Sequence, residues 1–249
     1  MGPDLALALE LADAADAISL AHFRTGLAVE QKPDLTPVTE ADRAVEAELR
    51  RLLSHERPGD AVLGEEHGAS GGGARRWILD PIDGTRNYAR GIPVWATLIA
   101  LEESGFVQLG LVSAPALGRR WWAEHGEGAF ADGERIAVSS VSRVEDAVLC
   151  FAFEQELPAI ARRAWHVRGL GDFWAHMLVA EGAVDGAFDA TGVREWDLAA
   201  VQVIVEEAGG RFSDFAGESR IDSGTALSSN GLLHDELLAA AAEQAQAGA

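Results

Sequence analysis

The sequence has 249 residues, of which 48% are hydrophobic, so it is long enough to bury one large core or two closely packed lobes. Its formal net charge of −20 argues against a nucleic-acid partner, because phosphate backbones repel such a surface. There is no run of ~18 apolar residues, so no membrane span is expected. The acidic N-terminal segment lacks the basic start of a signal peptide, and the single cysteine, Cys150, cannot form a disulfide within the chain. A cytoplasmic location is therefore expected.

The first half of the chain predicts two helices followed by a series of strands. Apolar residues at helical spacing predict a helix over residues 4–28, and Thr39 is expected to cap a second helix that runs to about Ser54. After that helix, strand signals dominate. The predicted strands are DAVLGEEHG, RWILD, VWATLIALEE, FVQLGLVSAPAL, RRWWAEHGEGAF and ERIAVSS.

The second half mixes strands and helices without a regular period. It begins with the strand AVLCFAF, and helices are predicted over residues 155–165, 171–182 and 197–208. GAVDGAFDA is a further predicted strand, GGRFSDFAG and TALSSN are predicted edge strands, and GLLHDELLAAAAEQAQ a closing helix. This pattern favours a layered α/β architecture with large mixed sheets over a doubly wound nucleotide-binding fold. Neither a GxGxxG nor a P-loop signature occurs.

Acidic residues stand at the ends of predicted elements in four places. These are Asp42, Glu65 with Glu66, Asp80 with Asp83, and Asp197. In the segment DPIDGT, a proline-stiffened turn allows Asp80, Asp83 and the carbonyl of Ile82 to point to one spot, which suits a hard divalent cation. Gly84 and Thr85 look like a helix start, whose free N–H groups favour an anion. A metal ion and a phosphate oxygen could then lie side by side.

Each acid taken alone also has an ordinary structural explanation. Asp83 and Asp197 are typical of helix N-caps, Glu65–Glu66 of solvated loop charge, and Asp42 of a first-turn acid that complements the helix dipole. The spacing leaves these alternatives open. The joint pattern favours a cation site.

The chain resembles the inositol monophosphatase superfamily of magnesium-dependent, lithium-sensitive phosphatases over nearly its whole length. The matching segments are GEE (Gly64–Glu66), WILDPIDGTRNY (Trp77–Tyr88) and WDLAAVQVIVEEAGGRF (Trp196–Phe212). The resemblance implies an α/β (α+β) fold, the layered α-β-α-β-α sandwich of the inositol monophosphatase and fructose-1,6-bisphosphatase type. It further implies a single domain over residues 1–249, with an N-terminal lobe to about 145 and a C-terminal lobe from about 146.

The same resemblance implies a site for two or three Mg²⁺ ions, with Mn²⁺ as an alternative. Water activated by metal would attack phosphorus in line, polarised by Glu65 and by the Thr85 hydroxyl, which Asp42 would orient. The N–H groups of Gly84 and Thr85 would cradle the phosphate. The implied metal ligands are Glu65, Asp80, the Ile82 carbonyl, Asp83 and Asp197.

The segments GIPVWATLIAL, GLVSAPALGRRWWAEHGEGAF and RGLGDFWAHMLVAEGAVD look like those of bacterial histidinol-phosphate phosphatases of the inositol-monophosphatase type. The implied reaction is hydrolysis of L-histidinol phosphate in histidine biosynthesis. Inositol-1-phosphate or a broader set of sugar phosphates is the alternative. A protein-interaction role in transcription termination is an alternative of another class.

Substrate contacts are expected away from the metal ligands. Gly171, Asp172 and Phe173 occupy the position where family members contact the leaving group, and Asp189 is a candidate partner for the substrate ammonium. Lys32 is expected on a loop that brings charge near the site. The expected partners are a small phosphate monoester and a second copy of the chain in a homodimer.

Overall fold

The computed structural model describes residues 2–25, 29–31, 37–152 and 157–247. None of the helices in these ranges has both the length and the apolar composition needed to cross a bilayer. The helices are α1 (Pro3–His22), α2 (Glu40–Glu56), α3 (Thr85–Ala89), α4 (Asp172–Ala180), α5 (Glu195–Glu207) and α6 (His234–Ala247).

The strands of the described ranges form a small hairpin and two larger sheets. The hairpin pairs β1 (Val29–Gln31) with β2 (Pro37–Thr39). The strands of the larger sheet are β3 (Ala61–Gly64), β4 (Gly68–Ser70), β5 (Arg75–Asp83), β6 (Ala96–Glu103), β7 (Phe106–Ala114), β8 (Arg119–Glu124), β9 (Gly128–Ala131) and β10 (Glu134–Arg135). Those of the other are β11 (Val148–Phe151), β12 (His166–Arg168), β13 (Gly186–Asp189), β14 (Arg211–Ser213) and β15 (Ala226–Ser229).

The eight-stranded sheet has the order β10-β9-β8-β7-β6-β5-β3-β4, an antiparallel meander from β5 to β10 with β3 parallel to β5. The five-stranded sheet has the order β12-β11-β13-β15-β14. Its first three strands are parallel, and β15 is antiparallel to both of its neighbours. This confirms the predicted mixed sheets.

Neighbouring buried residues of a strand face different core clusters on the two sides of the sheet. These clusters separate the helices and sheets into five layers. On β5, Trp77 and Leu79 face one core cluster together with α1 and α2, whereas Ile78 faces another together with α4 and α5. The cluster around α4 and α5 also takes up one face of the five-stranded sheet, and α6 covers its other face. The order is therefore helices, sheet, helices, sheet, helix, as the resemblance implied.

The predicted cap of the second helix and the predicted burial of Cys150 agree with the structure. Thr39 caps α2, since its hydroxyl accepts the N–H of Ala41, and the Asp42 carboxylate accepts the Thr39 N–H at 2.8 Å. Cys150 is fully buried on β11, and burial raises the pKa of its thiol to about 12. It is a packed thiol and not a reactive one.

Several strand and helix predictions were wrong in their extent. RRWWAEHGEGAF is a hairpin, because Gly126 and Gly128 take positive φ and turn the chain between β8 and β9. ERIAVSS contributes only the two residues of β10. TALSSN is not an edge strand, because β15 lies between β13 and β14. Within the described part of 155–165, the only helical turn is a 3₁₀ turn, Ala159–Arg162.

Candidate metal centre

Asp80 and Asp83 owe their common direction to a bulge in β5. Residues three apart on a regular strand point to opposite faces. Here Asp80 pairs with Leu98 and Asp83 with Ala96, so β5 has one residue more than β6 over this stretch. Pro81 lies in the bulge, where its missing N–H leaves no ladder bond unmade, and its carbonyl accepts the Thr97 hydroxyl at 2.8 Å. The extra residue brings both carboxylates to one side.

Asp197 completes the cluster from the first turn of α5. Carboxylate oxygens of Asp80, Asp83 and Asp197 lie within 4.8 Å of one another. Asp197 also accepts the N–H of Arg194 at 2.6 Å, so it caps its helix as well. Asp83 likewise accepts the N–H of Phe173 at 2.6 Å. Asp197 thus combines a capping-box bond with membership of the cluster. Asp83 does not cap its own helix, because the N-cap of α3 is Gly84, and it instead accepts an N–H from the first turn of α4.

The electrostatics of this cluster favour either bound protons or a compensating cation. Burial raises the pKa of Asp80 well above its ordinary value, and the negative charges of Glu65, Asp83 and Asp197 raise it further. Burial also raises the pKa of Asp83 well above normal, helped by Asp172 and Asp197. Burial, and then the charge of Glu65, raise the pKa of Asp197 to about 7.

The donor set fits a hard divalent cation. Asp80 is 1% exposed, and its Oδ1 atom has no hydrogen-bond partner among the described residues. A buried carboxylate oxygen is costly without a partner, and oxygen ligands of this kind suit Mg²⁺ or Mn²⁺. The three carboxylates can therefore hold a metal ion that offsets their repulsion.

Glu65 lies beside this cluster without belonging to it. It follows β3, which runs parallel to β5 with Gly64 opposite Leu79, and its N–H donates to the Leu79 carbonyl at 3.2 Å. That register places Glu65 next to Asp80. Its carboxylate is not among the three that converge within 4.8 Å, but its charge acts on the pKa of both Asp80 and Asp197.

Thr85 contacts its predicted partner Asp42 and also the Ile82 carbonyl, which was not predicted as its partner. Its hydroxyl lies 3.0 Å from the Ile82 carbonyl and 3.4 Å from Asp42 Oδ1. One hydroxyl proton serves one acceptor at a time, and the shorter contact is to Ile82. Gly84 has φ of 80°, and a side chain there would approach the Val94 carbonyl at 3.1 Å. The predicted Asp42–Thr85 contact is present, whereas the predicted roles of these residues stay predictions.

The substrate contacts expected of residues 171–173 stay a prediction. The side chain of Phe173 is 1% exposed and packs against Trp121 and Trp174. Its backbone N–H supports Asp83. Asp172 is exposed, adopts φ of 55°, and accepts the amide of Asn87 at 3.3 Å.

Asp189 is brought near the cluster, with a partner that the sequence did not reveal. It is 7% exposed, and its charge contributes to the raised pKa of both Asp83 and Asp197. Its Oδ2 lies 2.6 Å from Nε2 of the buried His176. His176 is within the predicted helix 171–182, at the third position after Phe173, and that shared helix face was the available signal. Lys32 lies outside the described residues.

A layered α/β fold with buried carboxylates that converge beside a helix start suits the class of metal-dependent phosphatases. Within that class the chain belongs to the inositol monophosphatase family, whose sequence model matches residues 2–247. The family is metal-dependent, which agrees with the carboxylate cluster. The predicted family is confirmed.

Relatives with established names cover almost the whole chain. A histidinol-phosphatase of Mycobacterium tuberculosis is 50% identical over 251 residues, which are 94% of this chain and 96% of the relative. A histidinol-phosphatase of Streptomyces coelicolor is 50% identical, with 94% and 95% covered. Among solved structures, an IMPase of Thermotoga maritima has a TM-score of 0.90 at 32% identity, and the match covers 98% of this chain and 99% of that one. The predicted fold class is confirmed.

Proposed function

We propose that the protein is a phosphomonoesterase that hydrolyses L-histidinol phosphate to L-histidinol and inorganic phosphate in histidine biosynthesis. The observation that carries this proposal is the 50% identity to two histidinol-phosphatases over almost the full chain. The acidic Asp189 near the carboxylate cluster is consistent with it, because the substrate carries an ammonium group. Inositol-1-phosphate or a broader set of sugar phosphates is the alternative.

The proposed cofactor is Mg²⁺, in two or three ions, with Mn²⁺ as the alternative. Bound divalent ions supply a nucleophile from water at neutral pH and offset the charge of the phosphoryl and leaving oxygens. The raised pKa of Asp80 and the free Oδ1 of that residue support a cation there. The residues proposed to hold the ions are Glu65, Asp80, the Ile82 carbonyl, Asp83 and Asp197.

The remaining steps fall to polar groups around the cluster. The Thr85 hydroxyl lies between the Ile82 carbonyl and Asp42 and donates its proton there, so its oxygen can accept a hydrogen bond from the attacking water and orient it. The Glu65 carboxylate takes up the proton that the water releases. The N–H groups of Gly84 and Thr85 bind the phosphate oxygens at the start of α3. The Phe173 N–H fixes the direction of Asp83.

The leaving group would be recognised on the side of Asp189 and residues 171–172. Asp189, oriented by His176, pairs with the substrate ammonium. Gly171 and Asp172 form the neighbouring wall, and Lys32 is the proposed charge on the nearby loop. A polyol substrate would instead require several side chains that hydrogen-bond to its hydroxyl groups.

The proposal also covers the domain organisation, the oligomeric state and the location of the protein. The proposed organisation is a single domain over residues 1–249 whose lobes divide near residue 145, supported by the two separate sheets. The proposed oligomeric state is a homodimer, supported by the exposed side chains of Trp165 and Leu232, which are 71% and 63% accessible. The proposed location is the cytoplasm, supported by the single buried thiol.

A side-by-side assay tests the function. The purified protein with Mg²⁺ is given histidinol phosphate and inositol-1-phosphate, and kcat/KM is compared. Faster turnover of histidinol phosphate is expected, and faster turnover of inositol-1-phosphate would overturn the assignment. The Asp83→Asn variant should lose the phosphatase activity. A protein-interaction role in transcription termination would survive that change, so the variant also separates the two classes of function.

A further inference from the structure

Glu46 is a fully buried carboxylate that none of the proposed chemical steps uses. It lies in the middle of α2, one helical turn after Asp42, and its side chain has no exposed area. Burying a carboxylate is costly unless several donors compensate it. The identity of these donors indicates what the residue does.

Among the described residues, the contacts of the Glu46 carboxylate come from the turn after Glu65 and from Arg50, and His67 Nδ1 also lies 3.3 Å from Oε1. Oε2 accepts the N–H of Glu66 at 2.6 Å, and Oε1 accepts the N–H of His67 at 3.2 Å. Oε1 also accepts Nε of Arg50 at 2.6 Å. The carboxylate therefore holds the backbone immediately after Glu65, and Arg50 balances its charge.

Arg50 extends the same attachment to the far side of this turn. Its guanidinium donates to the Gly68 carbonyl and, at 2.8 Å, to the Ser70 hydroxyl. Together, Glu46 and Arg50 contact the chain from Glu66 to Ser70. On the other side of Glu65, its own N–H is held by the Leu79 carbonyl. The backbone that carries Glu65 is thus fixed at both ends.

Glu46 lies so close to Gly64 that there is no room for a side chain at position 64. A side chain at Gly64 would overlap the Glu46 carboxylate, although Gly64 does not need a positive φ. One helix, α2, therefore serves two loops from positions four residues apart. Asp42 contacts Thr85, and Glu46 fixes the turn after Glu65.

We propose that Glu46 is a positioning residue for the metal site, which holds the turn at Glu66 and His67 so that the Glu65 carboxylate faces Asp80. This proposal rests on the proposed function, in which Glu65 is a metal ligand. Removing a group that hydrogen-bonds to a metal ligand and orients it typically lowers metal affinity about 10- to 100-fold.

Glu46→Gln is the decisive variant, because it removes little volume but breaks the donor pattern. Both carboxylate oxygens accept N–H groups, so either orientation of the amide turns its own N–H groups toward a donor. Glu48→Gln is the matched control. It is the same substitution on the same helix, and among the described residues Glu48 pairs with Arg51 near the surface.

Binding of Mg²⁺ to the full-length metal-free protein is measured by titration calorimetry, and the Mg²⁺ midpoint of activity is measured in parallel. We expect Glu46→Gln to bind Mg²⁺ about 10- to 100-fold more weakly, with kcat recovering at high Mg²⁺, while Glu48→Gln binds as the parent does. A merely unstable variant would lose active protein without moving the midpoint. Parental Mg²⁺ affinity in Glu46→Gln would overturn the proposal.

If Glu46→Gln does not fold, Gly64→Ala provides the second arm, since the added methyl displaces the same carboxylate from its acceptor position. Weakened Mg²⁺ binding is again expected, and parental affinity again contradicts the proposal. Calorimetry requires no substrate. The positioning role can therefore hold even if the parent fails to hydrolyse histidinol phosphate, and the two failures are told apart.

Discussion

Nε2 of His176 lies 2.6 Å from Oδ2 of Asp189, and both side chains are buried within the wall of the carboxylate cluster. Because a carboxylate only accepts, Nε2 carries the proton, and Nδ1 meets the Ser228 hydroxyl at 2.7 Å. The imidazole therefore sets the direction of Asp189 with no freedom to rotate. The negative charge of this aspartate is directed by the fold and not by a flexible loop.

Asp189→Asn is predicted to act on substrate choice more than on chemistry. Removing the charge should lower kcat/KM for histidinol phosphate by about tenfold or more, the value of a charge-assisted contact. A phosphate ester without an ammonium group should lose far less. Steady-state kinetics with both substrates check this, and an equal loss for both would show that Asp189 does not contact the ammonium.

The stability of the metal-free protein is predicted to fall as the pH rises. The unfolded carboxyl of Asp197 has an ordinary pKa of 3.8, and burial raises the folded pKa to about 7. The folded state holds its proton more tightly, so this contribution is complete below 3.8 and is lost as the pH rises through about 7. The raised pKa values of Asp80 and Asp83 act in the same direction.

Thermal unfolding at pH 5 and pH 8 measures this effect. Without metal, the Tm should drop on the order of 5 °C or more, given ~2–4 °C per kcal/mol for a chain of this size. Saturating Mg²⁺ should restore most of the loss at pH 8, because it binds the ionised cluster. The Asp197→Asn variant should show a flatter profile. A metal-free Tm that rises with pH would contradict the prediction.

Thr85 offers a test of the proposed water-orienting hydroxyl. Thr85→Val keeps the branched shape and removes the hydroxyl that contacts Ile82 and Asp42, so kcat should fall by about 10²–10⁴, the usual value of proton-transfer assistance. Thr85→Ser keeps the hydroxyl and should retain most of the activity. Turnover at saturating substrate and Mg²⁺ is the measurement. Similar activity in both variants would remove Thr85 from the mechanism.

Gly110 tests how firmly α5 is seated on the large sheet. A side chain there would come within 2.5 Å of the Ala200 carbonyl and 2.6 Å of Val203, and the nearest atom belongs to backbone that cannot rotate away. Gly110→Ala should cost about 1–3 kcal/mol in free energy of unfolding, the range of overpacked cores. Because α5 carries Asp197, weaker Mg²⁺ binding should accompany the loss.

Gly59→Ala is the control for Gly110→Ala, since Gly59 has open space around it and no positive φ. Denaturant unfolding of both variants gives the comparison. Unchanged stability in Gly110→Ala would mean that α5 moves freely over β7, contrary to the tight approach in the structure.

Part of the acidic cluster can be predicted from the sequence because some of its signals are local. Pro81 predicts a stiff turn between Asp80 and Asp83, and the bulge in β5 lies at that place. The residues around Asp197 predict the start of a helix, and α5 begins there. The capping of α2 likewise follows from one capping residue, and the mixed sheets follow from periodicity. The order of the layers is implied by the family resemblance. The turn and the helix starts need no knowledge of distant contacts, whereas the meeting of Asp197 with Asp80 depends on how α5 packs against β5.

What the sequence does not reveal depends on partners far along the chain. The sequence suggests Phe173 as a site residue, but its side chain is buried against Trp121, which lies fifty-two positions earlier in the chain. The function of Glu46 depends on a turn twenty positions later, and in isolation it reads as an ordinary helical acid. The central place of β15 is also set by pairing that no local pattern encodes.

The sealed position of Cys150 makes the protein convenient for spectroscopy. It is the only cysteine, and at 0% exposure with a pKa of about 12 it resists maleimide and disulfide reagents while the protein stays folded. A cysteine placed at the open position of Gly59 would then be the one thiol that a reagent reaches. A fluorophore or spin label could be attached there with no native residue of the core replaced beforehand.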